Sequence, residues 1–426
     1  MKRVLLFSLI LVFTLASVTF AKETLTLSQL ILIALKHNPE IRISKVIKKE
    51  FEIQKKRTLG EFLPYLDLSY TYQREDDGKG LPAYGMSLLG PEFRWNVFNG
   101  LQSWYRYRSA KELVKVQGEE VKTTVLEVSL EITQKYLEYF KELAMYKAAV
   151  LSLKDARIVL NLARHKYSLG LAPYADVLDA EAKVKKAEHE VKTHLYLAEV
   201  AKASVLALAG FDISKWSDID FIPPSENYTQ VPPLTECINI ALKNRPELKA
   251  KRFQLTAKLD QVKVVRGEFL PSVDVFLQYY KTQKDFSLFP KDNEQFLAGV
   301  KVTVPLFEGA QRIADIEKAN AEVLKAKLEL KREILNVEKE VFSSYRLWES
   351  AKSSYESAKA WLKKMEEDFK IIKKKYNAGL ASMVDLTTVL ARLADARAQV
   401  VSTKYQLFEA YYSLKKSMGI IPGLKP

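Results

Sequence analysis

The feature of the sequence that most constrains its fold is an internal duplication. The pattern Tyr-x-x-Gly-Leu occurs at residues 167–171 and again at residues 376–380, which is a separation of 209 residues. The pattern Gly-Glu-Phe-Leu-Pro occurs at residues 60–64 and 267–271, which is a separation of 207 residues. Matching motifs in the same order predict two copies of one structural unit, each about two hundred residues long.

The N-terminus has the pattern of a signal peptide, at residues 1–21. Lys2 and Arg3 precede an apolar run, and Thr19 and Ala21 place small residues at the −3 and −1 positions of a cleavage site. We therefore expect an exported protein whose mature chain begins with a first repeat at 22–209. A proline-containing linker at 210–233 and a second repeat at 234–426 complete the predicted organisation.

The charge does not indicate a nucleic-acid partner. The formal net charge is +14, but the basic residues are spread through Lys/Glu-rich stretches, as on solvated helix faces. The one cysteine, Cys237, cannot form an internal disulfide, and we predict that it is a small buried hydrophobic side chain.

Alternating apolar and polar residues predict two β-hairpins, at about 64–98 and about 271–307. The length of each strand is about the nine to eleven residues that a tilted membrane strand needs. A membrane barrel takes about eight strands or more, and lipid does not tolerate an open sheet edge. A barrel would therefore have to be shared between chains. The alternative is a pair of ordinary hairpins packed on a soluble core.

Each hairpin leads into a helical stretch, at 101–209 and 309–418, that begins with a helix of about 65 residues, roughly 100 Å long. Apolar residues recur every seven positions, which predicts left-handed supercoiling against neighbouring helices. These positions are Val125, Ile132, Tyr139, Tyr146, Leu153, Leu160 and Tyr167, and then Ile334, Val341, Trp348, Tyr355, Leu362, Phe369 and Tyr376.

The returning helices, at about 173–209 and 382–418, are too short to match the long ones. A returning helix stacked end to end on a helix before the strands, at 39–62 or 246–269, nearly equals the long helix in length. These lengths favour a long tube with a continuous wall.

No pattern in the sequence indicates catalysis, a cofactor or a metal site. The four histidines, at positions 37, 165, 189 and 194, stand at no ligand spacing from a cysteine or a carboxylate. A nucleophile elbow, a phosphate loop and a dinucleotide fingerprint are absent from the sequence. We expect a protein that is not an enzyme and takes no cofactor.

Three aspartates follow the two Gly-Leu turns: Asp176, Asp179 and Asp385. Two interpretations of these aspartates are open. In the first, carboxylates near the start of a helix offset the helix dipole. In the second, they form a ring at the narrow end of a symmetric tube, which favours cations and is held closed by hydrogen bonds to Tyr167 or Tyr376.

The duplicated motifs, together with Val304-Pro305-Leu306-Phe307-Glu308-Gly309 after the last strand, resemble those of the TolC-type outer membrane efflux proteins. The resemblance covers essentially the whole mature chain. It implies a mainly α-helical fold with a small β part. Three copies would form an α-barrel tunnel in the periplasm and a shared 12-strand transmembrane β-barrel in the outer membrane.

The resemblance also implies partners and site residues. A homotrimer would dock a periplasmic adaptor protein and, through it, an inner-membrane transporter of the RND, ABC or MFS type. The family's gate positions correspond to Asp176, Asp179, Tyr376 and Asp385, and Thr388 stands where the family's type member has a second gate aspartate. The adaptor-docking turns correspond to Leu169, Gly170, Leu171, Ala378, Gly379 and Leu380.

Two departures bear on the gate. Thr388 lacks the carboxylate, and Ala381 stands where the type member has a gate arginine, so the pairs that lock the gate would differ here. The expected function is passive export of substrates received from an adaptor and pump, by efflux or type I secretion. The alternative is an exported coiled-coil scaffold without a pore. The sequence does not reveal the exported substrate.

Overall fold

The computed structural model describes residues 23–75, 84–215, 218–224, 228 and 230–424. The predicted signal peptide lies outside the described residues. Both copies place a short helix, a medium helix, a β-hairpin, a long helix and a returning helix in the same order. The first copy consists of α1 (Leu27–His37), α2 (Pro39–Gly60), β2 (Tyr65–Glu75), β3 (Tyr84–Asn99), α3 (Gln102–Ser168) and α4 (Tyr174–Ala209). The second consists of α5 (Leu234–Asn244), α6 (Pro246–Gly267), β5 (Ser272–Lys284), β6 (Asn293–Thr303), α7 (Gln311–Asn377) and α8 (Met383–Ser417).

The long helices α3 and α7 each contain 67 residues. At 1.5 Å per residue each is about 100 Å long, so the predicted helical hairpins are confirmed. Each long helix packs against the returning helix of its own copy, and α3 also packs against α6 and α8 of the other copy. The packing places α3 in the interior of the chain and α7 at one side.

The four long strands form one antiparallel sheet in the order β2-β3-β5-β6. The two predicted hairpins are therefore joined through β3 and β5, which the sequence patterns did not indicate. The register keeps apolar residues on one face: Leu66 lies opposite Phe93, and Phe93 lies opposite Leu277. The outer strands β2 and β6 each have one edge without a neighbour within the described chain.

The segment between the copies lies across the helices. Its strand β4 (Ile219–Phe221) pairs in parallel with β1 (Glu23–Leu25) at the start of the first copy. The ring of Tyr228 stacks on Phe408 with 3.6 Å between the ring centroids, and the indole nitrogen of Trp348 donates to the Tyr228 carbonyl at 2.9 Å. A 3-10 turn at Ile213–Lys215 completes the described part of the linker.

The returning helices meet the medium helices end to end, as their lengths predict. In the first copy, the Asn38 amide donates to the Leu208 carbonyl at the end of α4, at 2.8 Å. The Asn38 side-chain oxygen also caps α2 by accepting from the backbone of Glu40 and Ile41. In the second copy, Arg245 takes the position of Asn38 and donates to the Ser417 carbonyl at the end of α8, at 3.3 Å.

The second joint is an ion cluster around a buried arginine. The side chain of Arg245 is 4% exposed and contacts Glu247 at 3.0 Å and Glu340 at 2.9 Å. Lys416 contacts the other oxygen of Glu340 at 3.1 Å. Burial acts to raise the pKa of the Glu340 carboxyl, but the hydrogen bond and charge of Arg245, helped by Lys416, hold this pKa below its ordinary value of 4.5.

Two main apolar cores hold the helices of the described chain together, and a minor third cluster of Val262, Ala319 and Val323 joins α6 to α7. The larger one lies at the level of the joints and includes Leu30, Ile132, Tyr412 and Cys237, which is fully buried as predicted. The smaller one lies near the Gly-Leu turns and joins α3, α4, α7 and α8 through side chains such as Leu386. None of the helices in the described part of the chain carries an apolar stretch long enough to cross a bilayer.

The two joints predict unequal effects of matched substitutions. At pH 7, Arg245→Met should lower the free energy of unfolding by about 2–3 kcal/mol, because it removes the charged hydrogen bonds of a buried arginine to the Ser417 carbonyl and to the partly exposed Glu340. Asn38→Ala should cost about 1–2 kcal/mol, because it removes a neutral cap. Denaturant unfolding in detergent, followed by circular dichroism, measures both.

The effect of Arg245→Met should depend on pH. A carboxyl with a lowered pKa stabilises the fold above its ordinary pKa of 4.5, and this stabilisation is lost as the pH falls through the folded-state pKa. The difference between the parent and Arg245→Met should therefore shrink below about pH 4. Equal losses for the two substitutions, or a pH-independent difference, would contradict the role of the ion cluster.

Candidate functional site

The two helical hairpins end in matching turns, which we call the tip (residues 165–180 and 374–389). Gly170 and Gly379 have φ angles of 72° and 76°, a conformation that favours glycine. The helix ends are closed by Leu171 donating to the Lys166 carbonyl at 2.9 Å and Leu380 donating to the Lys375 carbonyl at 2.8 Å. These bonds are those of a Schellman motif, so the glycines are required by the backbone conformation.

The predicted docking residues lie together on the surface of the tip. Leu169, Leu171 and Leu380 are 58%, 70% and 77% exposed. Gly170, Ala378 and Gly379 are exposed beside them. Several exposed leucines at one end of a molecule form a surface that suits a protein partner. Docking of an adaptor at these residues stays a prediction.

The predicted gate aspartates differ in their surroundings. Asp385 closes a capping box at the start of α8: its carboxylate accepts from the Ser382 backbone at 2.9 Å and from the Ser382 hydroxyl at 2.7 Å. The backbone N–H of Asp385 donates in return to the Ser382 hydroxyl at 3.1 Å. The Ser382 side chain, and then its backbone N–H, lower the pKa of the Asp385 carboxyl.

The first copy has no such box. Pro173 stands where the second copy has Ser382, and it makes no side-chain cap at the start of α4. Asp176, at the position that matches Asp385, is half-buried, whereas Asp179 and Thr388, which match each other, are both exposed. The capping bonds at the start of α8 therefore support the helix-capping interpretation for Asp385. A gate function of Asp176, Asp179, Asp385 and Thr388 stays a prediction.

The two tip tyrosines also differ. Tyr376 is buried, and the ammonium group of Lys166 lies 3.9 Å from the centroid of its ring. Lys166 also donates to the backbone carbonyl of Tyr376. Tyr167 is 48% exposed, and its ring packs against that of Tyr174 at 5.4 Å between centroids.

The hydroxyl of Tyr376 is buried and has no hydrogen-bond partner within the described residues. Burial raises the pKa of Tyr376, and the nearby charge of Asp176 raises it further. The expected bond between an aspartate and Tyr376 is therefore not made within one chain. A bond between copies stays a prediction.

One face of the sheet is polar. The sequence predicted this face only from the alternation of polar and apolar residues along the strands. Arg94 contacts Asp67 at 3.1 Å and Glu92 at 3.5 Å. Gln278 donates to Glu92 at 2.6 Å, and Asn96 donates to Asp274 at 2.7 Å. These side chains line a concave region of about 700 Å³. The network connects β2, β3 and β5 on the face opposite the apolar one.

One histidine has a carboxylate partner that its spacing in the sequence did not reveal. His194 on α4 lies 2.7 Å from Glu142 on α3, which is largely buried. The two residues are far apart in sequence and meet only because the hairpin folds back. Within the described residues, no group of three or more ligand-type side chains could hold a metal ion.

The comparisons with known proteins agree with this geometry. Residues 30–210 and 237–420 match the model of the family described as outer membrane efflux protein. Protein CyaE of Bordetella pertussis is 24% identical over 315 residues, which covers 71% of this chain and 64% of CyaE, just under two thirds of that relative.

Two solved structures share the fold. A membrane protein from Pseudomonas aeruginosa has a TM-score of 0.81 at 17% identity, covering 92% of this chain and 90% of that chain. The outer membrane protein VceC from Vibrio cholerae has a TM-score of 0.78 at 18% identity, covering 92% of this chain and 96% of that chain.

Substitutions at Asp385 should separate its capping bonds from its charge. Asp385→Ala removes the capping bonds and should make the first amides of α8 exchange about fivefold faster. Asp385→Asn keeps an acceptor for Ser382 but loses the charge, so its exchange should lie between those of the parent and Asp385→Ala. Hydrogen exchange with mass spectrometry measures both variants.

Asp179→Ala is the matched control, since the structure records no hydrogen bond to this carboxylate within the described chain. It should change exchange by less than a factor of about two to three, because only a dipole interaction is lost. The Asp385 effect should be present at neutral pH and fade as the pH falls below 3.8, where the carboxyl becomes protonated. Equal effects of Asp385→Ala and Asp385→Asn would contradict the capping role.

Proposed function

Because the chain belongs to the outer membrane efflux protein family, we propose that it is one protomer of a trimeric channel that passively exports substrates across the outer membrane. The sheet forms one third of a barrel in the membrane, and the helical hairpins extend as a tunnel through the periplasm. The channel receives its substrates from a periplasmic adaptor and an inner-membrane transporter of the RND, ABC or MFS type.

The observation that carries this proposal is the two-faced sheet with two open edges. One face exposes large apolar side chains on both outer strands: Leu66, Leu68, Phe296, Val300 and Val302, each between 60% and 74% exposed. The other face holds the network of Arg94, Asp67 and Glu92. An apolar face suits lipid and a charged face suits a water-filled interior.

The open edges explain why several copies are needed. Every backbone N–H and C=O inside a bilayer must be satisfied by protein. The outward edges of β2 and β6 leave such groups without partners in a single chain. Pairing β6 of one copy with β2 of the next satisfies them and closes the barrel.

The alternative, an exported scaffold without a pore, must place this apolar sheet face in water. Contiguous exposed apolar surface of that kind is unfavourable at about 25 cal/mol per Å² and marks a membrane or protein contact. The scaffold therefore requires a partner that covers the sheet, whereas the channel requires only lipid.

Fractionation and planar-bilayer recordings test the proposal. The protein should sediment with the outer membrane and need detergent for extraction, and the purified protein should insert and give stable single-channel currents. Recovery in the soluble fraction after osmotic shock, or no insertion into bilayers, would overturn the channel and favour the scaffold.

The same recordings test the gate. Asp176→Asn and Asp385→Asn remove a charge without removing an acceptor, so a reduced preference for cations in either variant would support an acidic constriction. Asp179→Asn tests the third predicted gate aspartate in the same way. Unchanged currents in all three variants would reject the constriction and leave the dipole and capping roles.

A further inference from the structure

The loop between β5 and β6 exposes three large apolar side chains at the end of the sheet opposite the helices. Phe286, Leu288 and Phe289 lie within four consecutive positions and are 67%, 58% and 66% exposed. Single exposed apolar residues are common on protein surfaces, but a cluster of large ones marks a contact. The segment 285–289, which we call the outer loop, therefore requires a partner that covers it.

The outer loop has a defined position, because hydrogen bonds hold the chain on both sides of it. At its start, the N–H of Asp285 donates to the Gly85 carbonyl on β3 at 2.8 Å. After its end, the N–H of Asp292 donates to the Thr282 carbonyl on β5 at 3.0 Å. The Asp292 carboxylate also accepts from the backbone N–H of Lys284 at 3.3 Å. The apolar side chains are thus presented by a structured turn.

The outer loop folds onto the face of the sheet that carries the exposed apolar side chains. In the register of β2 with β3, Tyr72 lies opposite Ser87, so both residues belong to the same face as Leu68. The Ser87 hydroxyl donates to the Asp285 carbonyl at 2.9 Å and accepts from the Ser287 N–H at 2.9 Å. The loop therefore covers Ser87, which is fully buried.

An aromatic contact places Phe286 on the same face. Its ring meets the ring of Tyr72 edge to face, with 5.6 Å between the centroids and 81° between the planes. A loop that closed the barrel from outside would instead cross the polar face, where Arg94, Asp67 and Glu92 lie. The contacts of the outer loop thus extend the apolar face rather than cover the interior of the barrel.

The height of the outer loop on the sheet agrees with the outer boundary of a bilayer. Near the helices, the apolar face includes Val275, which lies opposite Trp95. Gln283, eight residues further along β5, lies opposite Ser87 beneath the loop. Eight residues at about 3.4 Å each, in a strand tilted by about 40°, rise roughly 21 Å, and the apolar band of an outer membrane barrel is about 25 Å tall. Phe286 is therefore near the upper edge of this band.

The charges around the outer loop do not favour a charged partner. Residues 281–294 contain three basic and three acidic side chains: Lys281, Lys284, Lys291, Asp285, Asp292 and Glu294. One basic and one acidic side chain, those of Lys281 and Glu294, form an ion pair at 3.3 Å. An apolar cluster bounded by balanced charges suits the boundary between acyl chains and polar headgroups.

We propose that the outer loop is a membrane anchor, whose Phe286, Leu288 and Phe289 side chains insert among the lipid acyl chains of the outer leaflet. The inference rests on the proposed function, because it requires the sheet to lie in the outer membrane. The anchor adds lipid contact beyond the strands and fixes the depth of the outer end of the sheet. Its affinity comes from the burial of apolar surface, so insertion does not depend on the charge of the lipid.

Spin labels report the surroundings of the outer loop in the full-length protein in lipid vesicles. In a Cys237→Ala background, Leu288→Cys and Phe289→Cys each receive a nitroxide label. Power saturation compares collisions of the label with oxygen, which enters acyl chains, and with a water-soluble nickel chelate. At one or both positions, the ratio of oxygen to nickel collisions should be at least about fivefold higher than at a water-exposed control, because a polar chelate is excluded from hydrocarbon.

Two positions on β2 calibrate the measurement. Leu68→Cys lies on the apolar face and should report acyl chains. Thr71→Cys is the matched water-exposed control, since it adjoins Tyr72 beneath the loop and belongs to the polar face. Frequent nickel collisions at both loop positions would place the loop in water, and few collisions with either reagent would place it against protein. Either result would overturn the anchor.

Lipid composition separates apolar insertion from attraction between charges. The measurement is made in vesicles of phosphatidylcholine and in vesicles that also contain phosphatidylglycerol. The ratio at the loop positions should differ by less than about twofold between them, because the charges around the loop cancel. Insertion that occurs only in the anionic vesicles would overturn the apolar anchor.

The Leu68→Cys control separates the two levels of proposal. If this position reports acyl chains and both loop positions do not, the anchor fails and the channel stands. If Leu68→Cys itself reports water, the sheet does not lie in the membrane. The proposed function then fails, and the anchor fails with it.

Discussion

A helix of 67 residues must be covered along its whole length, and this requirement organises the structure. Most of the stability of a helix in a protein comes from packing an apolar face, and a helix of about 100 Å has far more face than one neighbour of ordinary length can cover. The chain solves this by stacking α4 on α2 and α8 on α6. The joints at Asn38 and Arg245 are therefore as important to the long helices as their own heptads, because they keep the covering wall continuous.

The same requirement makes the two long helices unequal. Helix α3 packs extensively against elements of both copies, whereas the main neighbours of α7 belong to its own copy, and α7 meets α3 near the tip. The same sequence pattern therefore lies in different surroundings in the two copies. The motif Lys-Tyr-x-x-Gly-Leu places Tyr376 under Lys166 in the interior of the tip, and it leaves Tyr167 exposed. In the proposed trimer, a neighbouring chain would cover the exposed side of α7.

Much of the fold could be predicted because it is encoded in local periodicity. The period of seven specifies α3 and α7, the period of two specifies the strands, and Gly170 and Gly379 specify the turns between helices. The contacts between distant elements could not be predicted in this way. The bond between His194 and Glu142 and the pairing of β3 with β5 depend on which elements become neighbours. The aspartates at the tip looked equivalent in sequence, yet only Asp385 has a capping serine, since Pro173 replaces that serine in the first copy.

At the two joints, the backbone conformation is the same in both copies, whereas the side chains differ. Glycine recurs at Gly210 and Gly419, where the chain has a positive φ after the helix and a Cβ would lie about 3 Å from His37 or from Asn244 and Arg245, just before the stacked helix. A side chain at either position would be strained by the positive φ, and at Gly210 it would also lie too close to His37. The residue that ties the joint is free to differ, because a carbonyl accepts equally from the Asn38 amide or the Arg245 guanidinium. Arginine brings a buried charge, and Glu340 and Glu247 are present to satisfy it. The backbone geometry of the joint is therefore the same in both copies. The side chains at the joint differ, because each copy has its own neighbouring residues.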